Sequence, residues 1–340
     1  MIEVGILNIN SYGGIGLATL IEAHPRLKLA AVAGHSSAGK TMRQIFPFWD
    51  GPDLRVLESL PPLDLVFSAL PHVAAAEALA PLVRDGARAV DLSADFRLPD
   101  ADIYAEWYGH EHPAPDLLPG AVYGLTETAR LQIYPAMLVA NPGCYPTAAG
   151  LGLAPLLTAG LVDADAGVIV DAKSGVSGAG RALKTESLFS EVDESVSAYG
   201  LKGHRHLPEI EQIAATLQRG GPPPITFVPH LIPMTRGILA TIYVKPAERL
   251  SAAALLRLYQ DYYGTSPCVR VAETSPATKW TIHTNLCVIH PTVDKRTGRL
   301  VIVSCIDNLV KGAAGQAIQN ANLMLGLPEE TGLPLRGNWP

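Results

Sequence analysis

The sequence contains few of the features that mark disulfide-bonded, zinc-binding or nucleic-acid-binding proteins. Its 340 residues include only four cysteines, which form neither a CxxC pair nor a cysteine/histidine cluster with zinc-finger spacing. A disulfide framework and a structural metal are therefore not expected. No run is rich in lysine and arginine, and the formal net charge is −6, which argues against a nucleic-acid or anionic-membrane partner.

Long hydrophobic runs and a targeting segment are also absent. The longest apolar stretch, residues 147–162, contains Pro155 and three glycines and is too short to span a bilayer. The N-terminus leads directly into a strand pattern, with neither a basic region nor a cleavage site. We expect a cytoplasmic protein, and 340 residues with 48% hydrophobic side chains suffice for two domains.

The N-terminal segment has the pattern of a nucleotide-binding unit. Residues 4–9 predict a strand, 15–23 a helix and 27–33 a second strand, which together have the size of a βαβ unit. The small-residue turn at 10–16 lies where a Rossmann fold binds a pyrophosphate on the backbone N–H groups of a helix N-terminus. Because the GxGxxG spacing is missing, a purely structural turn explains this segment equally well.

The segment after the second strand indicates which dinucleotide would bind. NAD enzymes commonly place a carboxylate there for the ribose diol, but no acidic residue occurs between Ala30 and Trp49. Ser36, Ser37 and Lys40 offer two hydroxyl groups and a cation instead. These groups suit the 2′-phosphate of NADP. The alternative interpretation is that the segment is an ordinary solvated loop.

Further apolar segments continue the alternation of strands and helices. Residues 63–72 and 88–93 predict strands, and 73–85 an alanine-rich helix between them. The alternation predicts an α/β fold with a doubly wound parallel sheet and with ligands at the strand ends, which include residues 70–71. The proline-rich and glycine-rich segment 100–123 is expected to be irregular surface structure.

Longer strands dominate the second half of the chain. They are predicted at 167–173, 225–232, 237–245, 269–272, 285–290 and 300–306, with helices at 208–217 and 255–263. This pattern favours a second, α+β domain with a mixed sheet. We therefore expect residues 1–143 and 312–340 to form a nucleotide-binding domain, and residues 144–311 a catalytic and oligomerisation domain.

Residues 141–147 (NPGCYPT) carry the strongest chemical signal. Cys144 stands between Gly143 and Pro146, and small apolar residues continue to Ala154. The pattern predicts a thiol in the first turn of a buried helix, where unpaired amide groups and the helix dipole favour a thiolate. Cys144 is therefore the candidate nucleophile, with a buried core thiol as the plain alternative.

A nucleophilic thiol needs a base to take its proton and an acid to protonate the product. Of the ten histidines, His204 and His206 stand out, because they lie in one glycine-flanked segment with Arg205 between them. His206, two residues before Pro208, is the better fixed and is the candidate base. His204 is the reserve.

A cysteine, a histidine and a dinucleotide domain together indicate one reaction class. The thiolate attacks an activated acyl group, and a hydride from the nicotinamide reduces the resulting thioester to an aldehyde. A hydrolase would not need the nucleotide domain. If the acyl group is a phosphate anhydride, an anion pocket is also needed. Its candidates are Arg97, Arg181, Arg205 and the small-residue loop at 174–180, although each arginine alone is more typical of a surface.

Five segments in order along the chain resemble the N-acetyl-gamma-glutamyl-phosphate reductases of arginine biosynthesis, relatives of aspartate-semialdehyde dehydrogenase. They are 91–98 (DLSADFRL), 141–148 (NPGCYPTA), 173–181 (KSGVSGAGR), 204–211 (HRHLPEIE) and 307–315 (DNLVKGAAG). The resemblance implies that NADPH reduces an acyl phosphate to N-acetyl-glutamate 5-semialdehyde and phosphate, with Cys144 as nucleophile and His206 as acid/base. It also implies a homodimer or homotetramer that pairs through the second domain's sheet.

The resemblance, taken with the patterns above, predicts the remaining site residues. The expected substrate ligands are Arg97, Ser174, Gly175, Arg181, His204, Arg205 and Glu209. The expected NADP(H) ligands are Ser11, Tyr12, Gly13, Gly14, Ser36, Ser37, Lys40, Leu70, Pro71, Ser177, Gly178 and Asn308. No metal ligand is expected.

The sequence departs from that family in the first turn, which commonly reads Gly-x-x-Gly-Tyr-x-Gly. The matching positions here are Asn8, Ser11, Tyr12 and Gly14, so two of the three glycines are replaced. We expect NADPH use to persist with weaker binding. Two other functions stay open: a sister reductase acting on a carrier-bound aminoadipyl phosphate in lysine biosynthesis, and a dinucleotide-binding regulator without turnover.

Overall fold

The computed structural model of the chain describes residues 1–337, which form two compact units. The first comprises Met1–Pro142 and Ala313–Leu333, and the second comprises Gly143–Gly312 with the segment that begins at Pro334. The sequence places all of 312–340 in the first domain, whereas the segment from Pro334 groups with the second unit. Within the described residues, no helix is long and apolar enough to cross a membrane.

The first unit is built on a seven-stranded sheet whose neighbouring strands all run parallel. The strands are β1 (Ile2–Leu7), β2 (Leu27–Ala33), β3 (Val56–Leu57), β4 (Leu65–Ser68), β5 (Arg88–Asp91), β6 (Ala121–Tyr123) and β7 (Leu138–Ala140). Their order, β3-β2-β1-β4-β5-β7-β6, reverses at β1, as in a doubly wound nucleotide-binding sheet. The predicted Rossmann-type fold is confirmed.

Five helices precede the second unit: α1 (Tyr12–Glu22), α2 (Met42–Ile45), α3 (Ala74–Arg84), α4 (Ala101–Tyr108) and α5 (Thr126–Ile133). The prediction that 100–123 is irregular was wrong, because the segment contains α4 and β6. The carboxylate of Asp100 caps α4 by accepting the N–H groups of Asp102 and Ile103. The buried rings of Tyr104 and Tyr108 stack at 4.8 Å between centroids and anchor the helix.

The second unit contains a mixed seven-stranded sheet, as predicted. Its strands are β8 (Val168–Ser174), β9 (Ser197–Ala198), β10 (Ile225–Leu231), β11 (Ile238–Val244), β12 (Val269–Val271), β13 (Cys287–Val293) and β14 (Leu300–Ile306). Their order is β12-β13-β14-β11-β8-β10-β9. The pairs β8/β10 and β12/β13 are parallel and the others antiparallel.

The helices of the second unit are α6 (Cys144–Thr158), α7 (Phe189–Val192), α8 (Leu207–Leu217) and α9 (Ala252–Tyr263), and α10 (Gly315–Met324) returns to the first unit. Helix α6 packs against α8, β11 and β14. All of its residues except Cys144 and Thr158 are buried. Its small residues permit this close approach, since a Cβ at Gly152 would lie 2.6 Å from Cδ1 of Ile242.

Helix α6 contains a proline in its interior, Pro155. Proline has no N–H, so the carbonyl of Leu151 one turn earlier cannot accept the usual helical hydrogen bond. The hydroxyl of Tyr263 in α9 donates to that carbonyl, and the hydroxyl of Tyr259 donates to the carbonyl of Gly152 at 2.6 Å. Side chains of α9 therefore complete the hydrogen bonding of the helix that begins at Cys144.

This arrangement predicts that Tyr263→Phe destabilises the second unit by about 1–3 kcal/mol, because the buried carbonyl of Leu151 loses its donor. Tyr262→Phe, which removes the same atom from a half-buried neighbouring ring, is the matched control. Urea unfolding followed by circular dichroism measures both changes. Equal destabilisation by the two variants would contradict the assigned hydrogen bond.

Candidate active site

Cys144 is the first residue of α6 and is partly exposed at the end of an otherwise buried helix. Gly143 forms the N-cap with extended backbone angles (φ −64°, ψ 157°). Two close approaches enclose this turn. A Cβ at Gly143 would lie 2.5 Å from Nε2 of His206, and a Cβ at Gly312 would lie 2.8 Å from Cβ of Cys144. The positions beside the thiol therefore have no room for a side chain.

His206 and Glu209 lie at the start of α8 and face the same turn. His206 is the N-cap residue, and its side chain is 19% exposed. Glu209 is fully buried, accepts the N–H of Gly143 at 3.0 Å, and places Oε1 3.9 Å from Nε2 of His206. The structure thus brings the predicted nucleophile and base together. Glu209 was predicted as a substrate ligand, but its burial and contacts favour a role in orienting His206.

His204 lies beside His206 in a different environment. Its Nδ1 accepts the N–H of His206 at 3.0 Å, and its ring packs edge-on against Tyr145, Tyr199 and Phe227. Burial, helped by the nearby charge of Arg205, lowers the pKa of His204 to about 4. With so low a pKa, the imidazole is a weak base that stays neutral near pH 7, whereas the sequence analysis treats His204 as the reserve base.

Two tyrosines adjoin the turn. The hydroxyl of Tyr199 donates to that of Tyr145 at 3.2 Å, which in turn donates to the carbonyl of His230 at 3.1 Å. Burial raises the pKa of Tyr199 to about 12, and burial also raises the pKa of Tyr145, with the charges of Tyr199 and Cys144 adding to the effect. Both hydroxyls stay protonated at neutral pH. Nothing in the sequence pattern indicated Tyr199.

The small-residue loop after β8 does not offer its N–H groups to an anion, contrary to the prediction. The N–H groups of Gly175, Val176 and Ser177 donate to carbonyls of Gly237, Met234 and Thr235, and Gly178 donates back to Gly175. The segment between β10 and β11 accepts the first three of these N–H groups. The carbonyl groups that accept them lie far away in the sequence, so the composition of the loop did not indicate these hydrogen bonds.

Asn308 and Ser177, both predicted as NADP(H) ligands, are in contact. The buried amide of Asn308 donates to the hydroxyl of Ser177 at 3.0 Å and accepts the N–H of Gly237 at 2.7 Å. Arg236, the residue before Gly237, contacts the buried carboxylate of Asp307 at 3.5 Å. The side chain of Arg236 is 31% exposed. Sequence reasoning missed Arg236, although it stands just before β11.

The predicted arginine ligands differ in accessibility. Arg97, in the first unit, is buried and donates to the carbonyls of Asn141 and Leu92 at 2.8 and 2.7 Å. Arg181 and Arg205, in the second unit, are exposed. Ser174 is buried and its hydroxyl donates to the carbonyl of Gly175. Of these residues, the exposed arginines retain the greatest access to an anionic substrate.

In the first unit, the turn after β1 accommodates its two replaced glycines. Asn8 adopts a left-handed conformation (φ +65°), which Asn tolerates better than most residues, and its amide donates to the carbonyl of Ala69. Ser11 is the N-cap of α1, and its hydroxyl accepts the N–H of Gly14 at 2.9 Å. Only glycine fits at Gly14, where a Cβ would lie 2.3 Å from the carbonyl oxygen of Asn8.

The same turn fits a dinucleotide. Within the described residues, the N–H groups of Tyr12 and Gly13 have no protein acceptor, as expected at a helix N-terminus. The amide of Asn10 donates to the hydroxyls of Ser36 and Ser37 at 3.1 and 2.8 Å and so joins two of the predicted cofactor segments. Asn10 was not among the predicted ligands.

The other predicted cofactor ligands of this unit lie at the C-terminal ends of its strands. Lys40 is exposed in the segment after β2. Leu70 and Pro71 directly follow β4, half-buried and exposed respectively. Across residues 1–337, no group of three or more His, Cys, Asp or Glu side chains is placed to hold a metal ion.

The positive φ of Asn8 yields a prediction. Asn8→Gly and Asn8→Ala both remove the hydrogen bond to Ala69, but only Ala is strained in the left-handed region, so Asn8→Ala should be less stable than Asn8→Gly by about 1–2 kcal/mol. Denaturant unfolding measures this difference, and fluorescence titration with NADP⁺ measures its effect on binding. Equal stability of the two variants would contradict the left-handed conformation.

Two family models match the chain. The model described as semialdehyde dehydrogenase, NAD binding domain, matches residues 3–136, and the model described as semialdehyde dehydrogenase, dimerisation domain, matches residues 144–308. Among solved structures, an aspartate semialdehyde dehydrogenase II from Vibrio cholerae, complexed with ASA, has a TM-score of 0.71 at 16% identity, covering 96% of this chain and 98% of that one. The enzyme from Candida albicans, described with NADP, has a TM-score of 0.68 at 14% identity, covering 96% and 99%. These structures share the fold.

Curated relatives are much closer in sequence. An N-acetyl-gamma-glutamyl-phosphate reductase from Geotalea daltonii is 50% identical over 349 aligned residues, covering 100% of both chains. One from Dehalococcoides mccartyi strain CBDB1 is 47% identical, covering 99% of both chains. With this identity over its whole length, the chain belongs to the N-acetyl-gamma-glutamyl-phosphate reductase family.

Proposed function

We propose that the protein reduces N-acetyl-L-glutamyl 5-phosphate with NADPH to N-acetyl-L-glutamate 5-semialdehyde and phosphate, a step of arginine biosynthesis. The observation that carries the assignment of roles is the packing of the His206 ring against Gly143, directly before Cys144, with Glu209 contacting both Gly143 and His206. Cys144 is the nucleophile and His206 the acid/base. Glu209 orients His206.

His206 accepts the thiol proton of Cys144, and the thiolate bonds to the acyl carbon of the substrate. The bond from that carbon to the phosphate oxygen then breaks, so that phosphate leaves and Cys144 carries a thioester. When bound, NADPH would supply a hydride to the thioester carbonyl, and the turn after β1 together with Ser36 and Ser37 would hold it. Protonated His206 stabilises the resulting oxyanion, and cleavage of the carbon–sulfur bond releases the aldehyde and regenerates the thiolate.

Side-chain cations rather than loop amides suit the anionic substrate. The N–H groups of the loop after β8 are already donated to carbonyl oxygens, whereas Arg181 and Arg205 are exposed in the second unit. Arg236 adds a third, partly exposed guanidinium. Guanidinium groups bind phosphate and carboxylate through paired hydrogen bonds, which favours these residues as ligands of the phosphate and the carboxylate.

A homo-oligomer assembled through the second unit, a homodimer or homotetramer, is the proposed state in the cytoplasm. The matched dimerisation-domain model spans this unit. The segment 183–201 supports the proposal, because it exposes Leu183, Phe189 and Leu201 by 94%, 81% and 68%. Large exposed apolar side chains are typical of interaction surfaces where they form a patch.

The reaction is tested by mixing the protein with N-acetyl-glutamate 5-semialdehyde, phosphate and NADP⁺ and following the absorbance of the reduced cofactor. We expect turnover by the wild type, and a loss of about a thousandfold or more in Cys144→Ser, because serine is a far weaker nucleophile here. The carrier-bound aminoadipyl analogue serves as the competing substrate. Faster turnover of that analogue would assign the chain to lysine biosynthesis.

Glu209→Gln tests the orienting carboxylate. The amide oxygen can still accept the N–H of Gly143, but the negative charge beside His206 is lost, so the imidazolium is less stabilised. We expect kcat to fall about 10-fold to 100-fold, KM to change little, and the pH–rate profile to move to lower pH. Glu211→Gln, the same change two residues along α8, is the control and should behave as wild type.

The oligomer surface is tested by Leu183→Ser combined with Phe189→Ser. If these side chains are covered by a second copy, the molar mass from light scattering should fall or become concentration-dependent. Leu131→Ser is the control, since Leu131 is 87% exposed on the first unit. An unchanged mass in the double variant would exclude this surface.

A further inference from the structure

His204 makes a contact that no step of the reaction uses. Its Nδ1 accepts the N–H of His206, two residues further along the chain, at 3.0 Å. This is the hydrogen bond that Asn and Asp side chains make in an Asx-turn, where a side-chain acceptor binds the N–H of residue i+2. Here an imidazole nitrogen takes the place of the side-chain oxygen.

Aromatic neighbours fix the His204 ring from several elements. Tyr145 of α6, Tyr199 beside β9 and Phe227 of β10 pack against it edge-on, with centroids at 5.8, 5.5 and 5.4 Å, and the His206 ring lies at 4.9 Å. Gly200 completes the enclosure, since a Cβ there would lie 3.1 Å from Cδ2 of His204. The ring therefore has little freedom to turn away from the amide that it binds.

The hydrogen bond requires one protonation state. Nδ1 can accept a hydrogen bond only when it carries no proton. The ring is therefore neutral, with its one proton on Nε2. The surroundings favour the neutral form, because burial, helped by the charge of Arg205, lowers the pKa of His204 to about 4. Among the described residues, the titratable rings against it are Tyr145, Tyr199 and His206, with Cys144 acting on the two tyrosines.

We propose that His204 is a positioning residue, whose neutral Nδ1 holds the backbone of His206 and thereby keeps the His206 ring against Gly143, next to Cys144. The inference rests on the proposed role of His206 as acid/base. It assigns different roles to two neighbouring histidines. His206 exchanges protons in the reaction, whereas His204 stays neutral and exchanges none. A second base would instead need Nδ1 free to accept a proton, and the N–H of His206 occupies that atom.

Substituting His204 with Asn and with Leu separates these roles. Asn retains an acceptor for the N–H of residue 206, as in an Asx-turn, whereas Leu fills similar space without one. We expect kcat within about fivefold of wild type in His204→Asn, and about 10-fold to 100-fold lower in His204→Leu, with KM for the semialdehyde nearly unchanged in both. The pH–rate profile of His204→Asn should match that of wild type, because His206 remains the titrating group.

Three results would overturn the proposal. Full activity in His204→Leu would show that the hydrogen bond is dispensable. An equal rise in KM in both variants would make His204 a substrate ligand, and a displaced pH–rate profile in His204→Asn would make it a titrating group. NADP⁺ titration and circular dichroism of each variant establish that it is folded.

A measurement on the unmodified protein tests His204 without any turnover. In protein labelled with ¹⁵N-histidine, we expect the His204 resonances to show an Nε2–H tautomer that does not titrate between about pH 5.5 and pH 8. The His204 signal is identified as the one that is absent from the spectrum of His204→Asn. A titrating ring or an Nδ1–H tautomer would reject the proposal, whereas an inactive wild type with the expected tautomer would reject only the proposed reaction.

Discussion

The buried carboxylate of Glu209 is the interaction on which the active site of the second unit depends. It accepts the N–H of Gly143, just before Cys144, and also lies beside the imidazole of His206. A buried carboxylate is costly unless polar groups surround it, so these two partners are held together whenever the unit is folded. One side chain thereby fixes the start of α6 relative to the start of α8.

Much of the fold could be predicted from the sequence, because alternation of strands and helices is a local signal. The N-terminal βαβ unit and the longer strands of the second unit are examples. The segment 100–123 was misjudged, since its proline and glycine content concealed α4 and the buried tyrosines that hold it. The loop after β8 was misjudged for a different reason: its amides are satisfied by a distant segment, and long-range hydrogen bonds leave no mark in local composition.

The active site also combines features that the sequence predicts with features that depend on contacts between distant segments. The chemistry of a nucleophilic thiol, which needs a base, led from Cys144 to His206, and the structure places the His206 ring against Gly143, the residue before Cys144. The different surroundings of His204 and His206 could not be predicted, because the two residues share one short segment and the contacts come from α6, β10 and the segment beside β9. Tertiary packing alone buries the His204 ring among aromatic side chains and lowers its pKa.

Pro155 has a consequence for how the nucleophile's helix forms. A helix usually completes its backbone hydrogen bonds from its own residues, but α6 relies on the hydroxyl of Tyr263, 112 residues downstream of the carbonyl that it serves. Contacts between residues so far apart in sequence form slowly, because a long loop must close first. The buried carbonyl of Leu151, in the helix that begins at Cys144, therefore obtains its hydrogen bond only after α9 has docked.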